Sequence, residues 1–234
     1  MPRARAVGAF WRSVALAKLR SAAAGRAAEH KVLRGDQVTT VMFMLGCVVA
    51  TVLVGLLLGT LLRPSLRIWP TPGAGSWQSY VFWPLFRSLN VLCFVVAALT
   101  YGLDLLALPA WLRVVAIALL LVSVAFFVHA FFLLGRDNSY GAQDGLVTTG
   151  IYRWTRNPQN ATLIVVYACL AVAANSAPTY ILCAAMITTY VLMVLAEEPW
   201  LAATYGETYR AYCERVPRFF SWRRAAITVA RMSR

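Results

Sequence analysis

Residues 157–196 run for forty positions without one charged side chain. A helix needs about 20 predominantly apolar residues to cross about 30 Å of hydrocarbon, so this stretch is two crossings long. Asn175-Ser176-Ala177-Pro178 in its middle supplies turn chemistry. The stretch therefore reads as a tight helical hairpin, which returns the chain to the membrane face it left. Three further uncharged runs precede it: residues 38–62, residues 88–103 between Arg87 and Asp104, and residues 114–135, interrupted only by His129. Together they predict an all-α integral membrane protein of about five transmembrane helices, the last two forming the hairpin.

Composition agrees with that reading. Hydrophobic residues make up 60% of the 234 positions and charged ones 13%, against about 45–50% apolar in a soluble chain. The net charge of +13 would suggest nucleic acid in a soluble protein. Here eight of the basic residues lie in residues 1–37 and seven lie from Arg210 onward. Flanking charge of this kind suits anionic lipid headgroups, and no nucleic-acid partner is expected.

Residues 1–37 form a basic segment. Val7, Phe10, Trp11, Val14, Leu16 and Leu19 alternate there with Arg12, Lys18 and Arg20, which fits an amphipathic helix on the headgroups or a simple basic tail. With no apolar core before Val38, it is not expected to be a signal peptide. Residues 38–130 hold the first three helices. Residues 63–84, with Pro64, Pro70, Pro72, Pro84 and Gly73-Ala-Gly75, read as an extramembrane or interfacial loop. That GxG follows no strand and opens no helix, so it is no dinucleotide fingerprint. Gly46, Ala50, Gly55 and Gly59 give the first helix small faces for packing within the chain or against another.

Cys47, Cys93, Cys169 and Cys183 sit in apolar runs, with Cys213 beyond them and no CxxC. They read as small hydrophobes, and no metal site is expected. With five crossings the two basic tails lie on opposite sides. The C-terminal side carries thirteen Lys and Arg against nine on the other, a bias that leans toward a cytosolic C-terminus without deciding it.

Two polar segments bracket the hairpin and must meet at one face. The first contains Gly150, Tyr152, Arg153, Arg156, Asn157, Pro158 and Asn160. The second runs from Glu197-Glu198-Pro199 through Tyr205, Gly206, Tyr209 and Tyr212 to Val216-Pro217-Arg218. Asn157 before Pro158 is a good N-cap and N1 pair, predicting that a helix starts there. Its free N–H groups favour an anionic group. Glu197 and Glu198 close a long apolar helix, where negative charge opposes the helix dipole, so a cationic partner is expected. That partner is either Arg153 or Arg156 in a structural ion pair, or a cationic ligand with those arginines nearby. Consecutive helical residues point about 100° apart, so the two carboxylates cannot face one spot. Tyr205, Tyr209 and Tyr212 fall on the face of Glu198 only if the helix continues through Pro199 and Gly206. As a stripe they suit packing at the headgroup boundary or contact with a ligand.

The order GxYxxxRNP, hairpin, EExxL, YGExYxxY and VPR resembles the isoprenylcysteine carboxyl methyltransferase and phospholipid methyltransferase family, over about residues 130–220. The resemblance implies a membrane enzyme that binds S-adenosylmethionine (SAM) near the cytosolic face and methylates a lipid-like or other apolar acceptor reached from the bilayer. On this reading residues 131–220 are the cofactor-binding region, ending in a helical cap over the cofactor site, and residues 221–234 are a basic tail. Tyr152, Arg153, Arg156, Asn157 and Pro158 match the stretch that helps build the cofactor pocket. Glu197 and Glu198 match the acidic pair that holds the cofactor's amino end, and Tyr205, Gly206, Tyr209 and Tyr212 match the closing helix. Arg156 and Glu198 are the residues assigned to catalysis. Asn157 and Asn160 depart from the family, which often has His and an aromatic residue there.

A carboxylate at Glu198 or Glu197 would pair with an ammonium, and Arg153 or Arg156 with a carboxylate. The acceptor stays open among a prenylcysteine carboxylate, a phospholipid amine and a small thiol. The alternative readings are an NADPH-dependent membrane reductase, with Arg153, Arg156, Arg210 and Arg215 as phosphate ligands, and a non-catalytic scaffold of the same fold. His129 is either functional or bonded to a nearby carbonyl. Asp104 is expected at an interface, without a role. Oligomeric state is not legible.

Overall fold

The computed structural model describes residues 36–134 and 145–219. The amphipathic stretch expected within residues 6–28, Arg136 and the tail at 221–234 lie outside them. The chain divides into two compact units, residues 1–42 and 43–234. Of the first, only the opening turns of one helix are described; the second holds every other element.

Five α-helices are described: α1 (Asp36–Leu62), α2 (Trp77–Leu99), α3 (Ala110–Leu134), α4 (Pro158–Ala174) and α5 (Ala177–Arg215). A 3-10 turn covers Gly150–Arg153, and no strand occurs among the described residues. The all-α membrane architecture is as expected. Four helices are long and apolar enough to cross a bilayer. The exception is α4, whose 17 residues reach only about 26 Å at about 1.5 Å per residue.

The hairpin forms where the sequence places it. Asn175 ends α4 in the left-handed conformation at φ 50°, which Asn tolerates better than most residues. Ser176 caps α5, accepting a hydrogen bond from the backbone N–H of Thr179 at 3.4 Å. Asn175 is fully buried. Its amide donates to the Leu106 carbonyl at 2.7 Å, its side-chain oxygen accepts from the Leu106 N–H at 3.3 Å, and its carbonyl accepts from the Leu105 N–H at 2.8 Å. Thr100 at the end of α2 adds contacts to Ser176 (2.6 Å) and Thr179 (3.0 Å). The α2–α3 connection and the hairpin turn are thus tied together on one face, which sets the register at the other.

Helix α2 differs from expectation. It begins at Trp77, not near Ser88, so the loop is residues 63–76 and Pro84 lies inside the helix. Ser76 caps it by accepting from the Ser79 N–H at 3.2 Å. The cause is aromatic packing. Phe82 stacks on Phe86 (ring centroids 5.3 Å apart) and both Phe82 and Trp83 meet Trp69 (4.9 and 5.9 Å). This burial outweighs the one hydrogen bond that Pro84 forfeits. Arg87 therefore sits within the helix and does not flank it.

Packing within the unit joins α3 to α4, α4 to α5, and α2 to α5 and α4. The α3–α4 contact uses the small residues Ala116, Cys169 and Ala173, which let the backbones approach closely. Helix α1 meets α5 of the same chain: a Cβ on Gly46 would fall 2.8 Å from a Leu182 methyl. Helix α5 continues through Pro199 and breaks at Gly206, whose φ 54°, ψ −130° is non-helical. The polar end of α5 beyond Gly206 is the C-terminal cap.

Candidate functional site

The two polar segments meet at the face where α4 begins and the apolar part of α5 ends. Helix α4 starts at Pro158 with Asn157 as N-cap residue, as the sequence predicts, but the Asn157 side chain does not cap it. Its amide instead donates to the Arg218 carbonyl at 3.0 Å. That carbonyl also accepts from the Thr155 hydroxyl at 3.1 Å, and the Arg156 N–H donates to the Pro217 carbonyl at 3.0 Å. Three bonds thus fasten the Val216-Pro217-Arg218 strap across the Arg-Asn-Pro segment.

The acidic pair diverges, as helical geometry requires. The Glu197 carboxylate accepts a hydrogen bond from the Trp69 indole N–H at 3.2 Å. Glu198 turns the other way. It accepts from the Arg218 guanidinium at 2.9 and 2.5 Å and pairs with Arg156 at 3.1 Å. Of the two sequence alternatives, the ion pair between Arg156 and Glu198 is present. Their side chains are 12% and 16% exposed, so the pair is largely shielded from water. Arg156 also donates to the Cys213 sulfur, and its Nε is buried with no hydrogen-bond partner among the described residues.

The break at Gly206 turns the cap back over this cluster. Tyr209 and Tyr212 are buried with Val216, and Leu146, Leu201 and Tyr205 pack against them. The Tyr212 hydroxyl donates to the Tyr152 carbonyl at 2.6 Å. Burial pushes the Tyr152 hydroxyl well above the usual phenol range, helped by Tyr212 and Glu197 nearby and opposed by a hydrogen bond with Gln159. It stays a neutral donor at ordinary pH.

A cavity of about 600 Å³ opens between these elements. Its lining includes Tyr152, Arg156, Asn157, Pro158, Glu197, Tyr205, Tyr209 and Tyr212. Gly206 aside, eight of the ten residues matched to the family pattern thus share one cavity. The exceptions are Arg153, which is exposed and lines no part of it, and Glu198, which reaches it only through Arg156. Tyr209 and Tyr212 pack in one cluster with Tyr205, and all three line the cavity.

The rest of the wall was not anticipated. Trp69 comes from the α1–α2 loop, Trp83, Phe86, Arg87, Asn90 and Val91 from α2, Phe127 and Phe131 from α3, and Leu163 from α4. The sequence did carry one signal: Trp83, Arg87 and Val91 recur at a spacing of four, one helical face through a segment rich in proline. Asn90 accepts hydrogen bonds from Tyr167 and from Tyr190 (3.4 Å), which fixes it between α4 and α5.

Other sequence candidates lie elsewhere. His129 is exposed on α3, and Asp104 pairs with Arg113. Of the four arginines proposed as phosphate ligands, only Arg156 lines the cavity: Arg210 pairs with Glu207 in solvent, and Arg215 bonds its own helix at the Ala211 carbonyl. Among the described residues no cluster of His, Cys, Asp and Glu could hold a metal ion.

A family model described as phospholipid methyltransferase matches residues 90–208, just over half of the chain. No curated protein and no solved structure matches it.

Proposed function

The chain belongs to the phospholipid methyltransferase family, and from that premise we propose that it is a SAM-dependent membrane methyltransferase of a lipid-like acceptor. The observation that carries this reading is one cavity lined by both a carboxylate, Glu197, and a guanidinium, Arg156. SAM carries an ammonium and a carboxylate, and these residues fit both ends by charge. A volume of about 600 Å³ falls within the range of about 300–1,000 Å³ usual for small-molecule sites.

In this role Glu197 takes the ammonium, and the Trp69 indole fixes the carboxylate's direction. Arg156 takes the carboxylate with its guanidinium. Glu198 is a positioning residue, since it holds the guanidinium from the far side. Tyr152, Tyr205, Tyr209 and Tyr212 supply aromatic faces and exclude water. When bound, SAM supplies an electrophilic methyl group on a sulfonium. What the chain then contributes is alignment and desolvation of the acceptor's nucleophile, with no dedicated base needed for a carboxylate or thiolate. The acceptor enters along the α2–α3 wall, whose aromatic lining suits an apolar body.

The site end is proposed to be cytosolic. The segments at that face carry Arg63, Arg67, Arg153, Arg156, Arg210, Arg215 and Arg218, whereas the opposite turns hold Asp104 paired with Arg113.

Calorimetry on detergent-purified protein tests the reading. SAM binds, NADPH does not, and Glu197→Gln and Arg156→Gln each weaken SAM by about ten-fold or more. NADPH binding without SAM binding, or neither binding to folded protein, refutes it.

A further inference from the structure

Two arginines line the cavity, and they differ in one respect. Arg156 is paired with Glu198, whereas Arg87 meets no carboxylate among the described residues. Arg87 lies ten residues past Trp77, the start of α2, about 15 Å along the helix. It is inside an apolar, membrane-length segment. A cation at such a position is costly, and it persists where it has a function.

Its surroundings suggest which function. The guanidinium carbon stands 5.3 Å from the Trp83 ring centroid. That contact engages the flat face of the group and not its N–H edge. Arg87 is exposed although it lines the cavity, and so is Val91 one turn further on, at 60%. This part of α2 is therefore a mouth of the cavity. Helix α3, which packs mainly on α4, supplies Phe127 and Phe131 to the same cavity. The mouth combines a cation that has no carboxylate partner among the described residues with an apolar lining.

We infer that Arg87 binds the oxyanion of an anionic amphiphile, a phosphate or carboxylate carried on an apolar chain, at the mouth of the cavity, with the chain lying against Val91, Phe127 and Phe131. This rests on the methyltransferase reading only in making that amphiphile the methyl acceptor. Arg87 is then the residue that selects acceptors by charge, while Arg156 and Glu197 serve the cofactor. Asn90 does not compete for the role, because its side-chain oxygen is held by Tyr167 and Tyr190.

The test uses the full chain in dodecyl maltoside, which contributes no anion, and measures saturable binding of tritiated dodecyl phosphate. Unlabelled dodecyl phosphate and dodecanoate are expected to displace the label, the better of the two identifying the headgroup. Dodecyltrimethylammonium and inorganic phosphate are expected not to. Arg87→Gln and Arg87→Met should each lose about ten-fold or more in affinity for the probe, the scale of one charge-assisted hydrogen bond. Arg87→Lys should recover part of it, as a point charge replaces a planar fork. An unchanged thermal unfolding midpoint in detergent certifies the fold of either neutral variant. Undiminished probe binding in a folded neutral variant overturns the inference. So does stronger displacement by the trimethylammonium compound, and full displacement by inorganic phosphate overturns the lipid-borne part. Absence of SAM binding to the unmodified chain would sink the methyltransferase reading separately, leaving the Arg87 result intact.

Discussion

The Tyr212 hydroxyl donates to the Tyr152 carbonyl oxygen at 2.6 Å, a bond between residues sixty positions apart. It joins the cap beyond Gly206 to the 3-10 turn before α4, and both residues line the cavity. Tyr212→Phe keeps the ring and leaves a buried carbonyl unsatisfied, at a cost of about 1–2 kcal/mol. Thermal unfolding in detergent should show a lower midpoint, and calorimetry a several-fold weaker SAM affinity. An unchanged midpoint would mean that the cap is held by its apolar cluster alone.

Gly206 has open space around its Cα, with nothing within 4 Å of an added Cβ. Its φ of 54° with ψ −130° is nevertheless closed to L side chains without strain. Gly206→Ala should therefore act through the backbone alone, costing about 1–3 kcal/mol and straightening α5. Tyr209 and Tyr212 would leave the cavity, and SAM binding should fall more than global stability does.

The Arg156–Glu198–Arg218 cluster separates a buried pair from an exposed one. Glu198→Gln leaves the shielded Arg156 without its anion and should cost about 3 kcal/mol. Arg218 is 44% exposed, so Arg218→Gln should cost less than about 1 kcal/mol. Denaturation of both variants checks the order, and equal losses would show that Arg218 does more than clamp the strap.

On the opposite face, Asn175→Ala removes both bonds to Leu106 and leaves at φ 50° a residue that tolerates the left-handed region less well than Asn. The combined cost is about 3 kcal/mol. Asn175→Gly, which tolerates the conformation, should lose less. Both should bind SAM normally at temperatures where they are folded, because the turn lies at the other end of the hairpin.

Orientation has a direct measurement. Cysteines placed at Asp104 and at Trp154 should respond oppositely to a membrane-impermeant maleimide applied to intact cells, with position 104 labelled and 154 protected. The reverse pattern would put the cavity's polar end outside.

The hairpin was legible because forty uncharged residues admit no other use in a bilayer. The divergence of Glu197 and Glu198 followed from helix geometry alone. The start of α2 was not legible, since four prolines read alike in sequence while only Pro84 is carried inside a helix by its aromatic neighbours. The Trp69–Glu197 bond spans 128 positions, and no local pattern announces a contact of that range. Arg218 was visible within its motif, yet its bond to Glu198 depends on a turn at Gly206 that spacing does not reveal.

Trp69, Trp83, Phe86 and Arg87 all precede residue 90, where the family match begins, yet they wall the same cavity as Arg156 and Glu197. The cavity is thereby built partly from the stretch that the family model matches and partly from residues before it. Changes at Trp83, Phe86 and Arg87 would therefore reshape one wall of the cavity, whereas a change at Trp69 would also release the carboxylate of Glu197 inside the matched stretch.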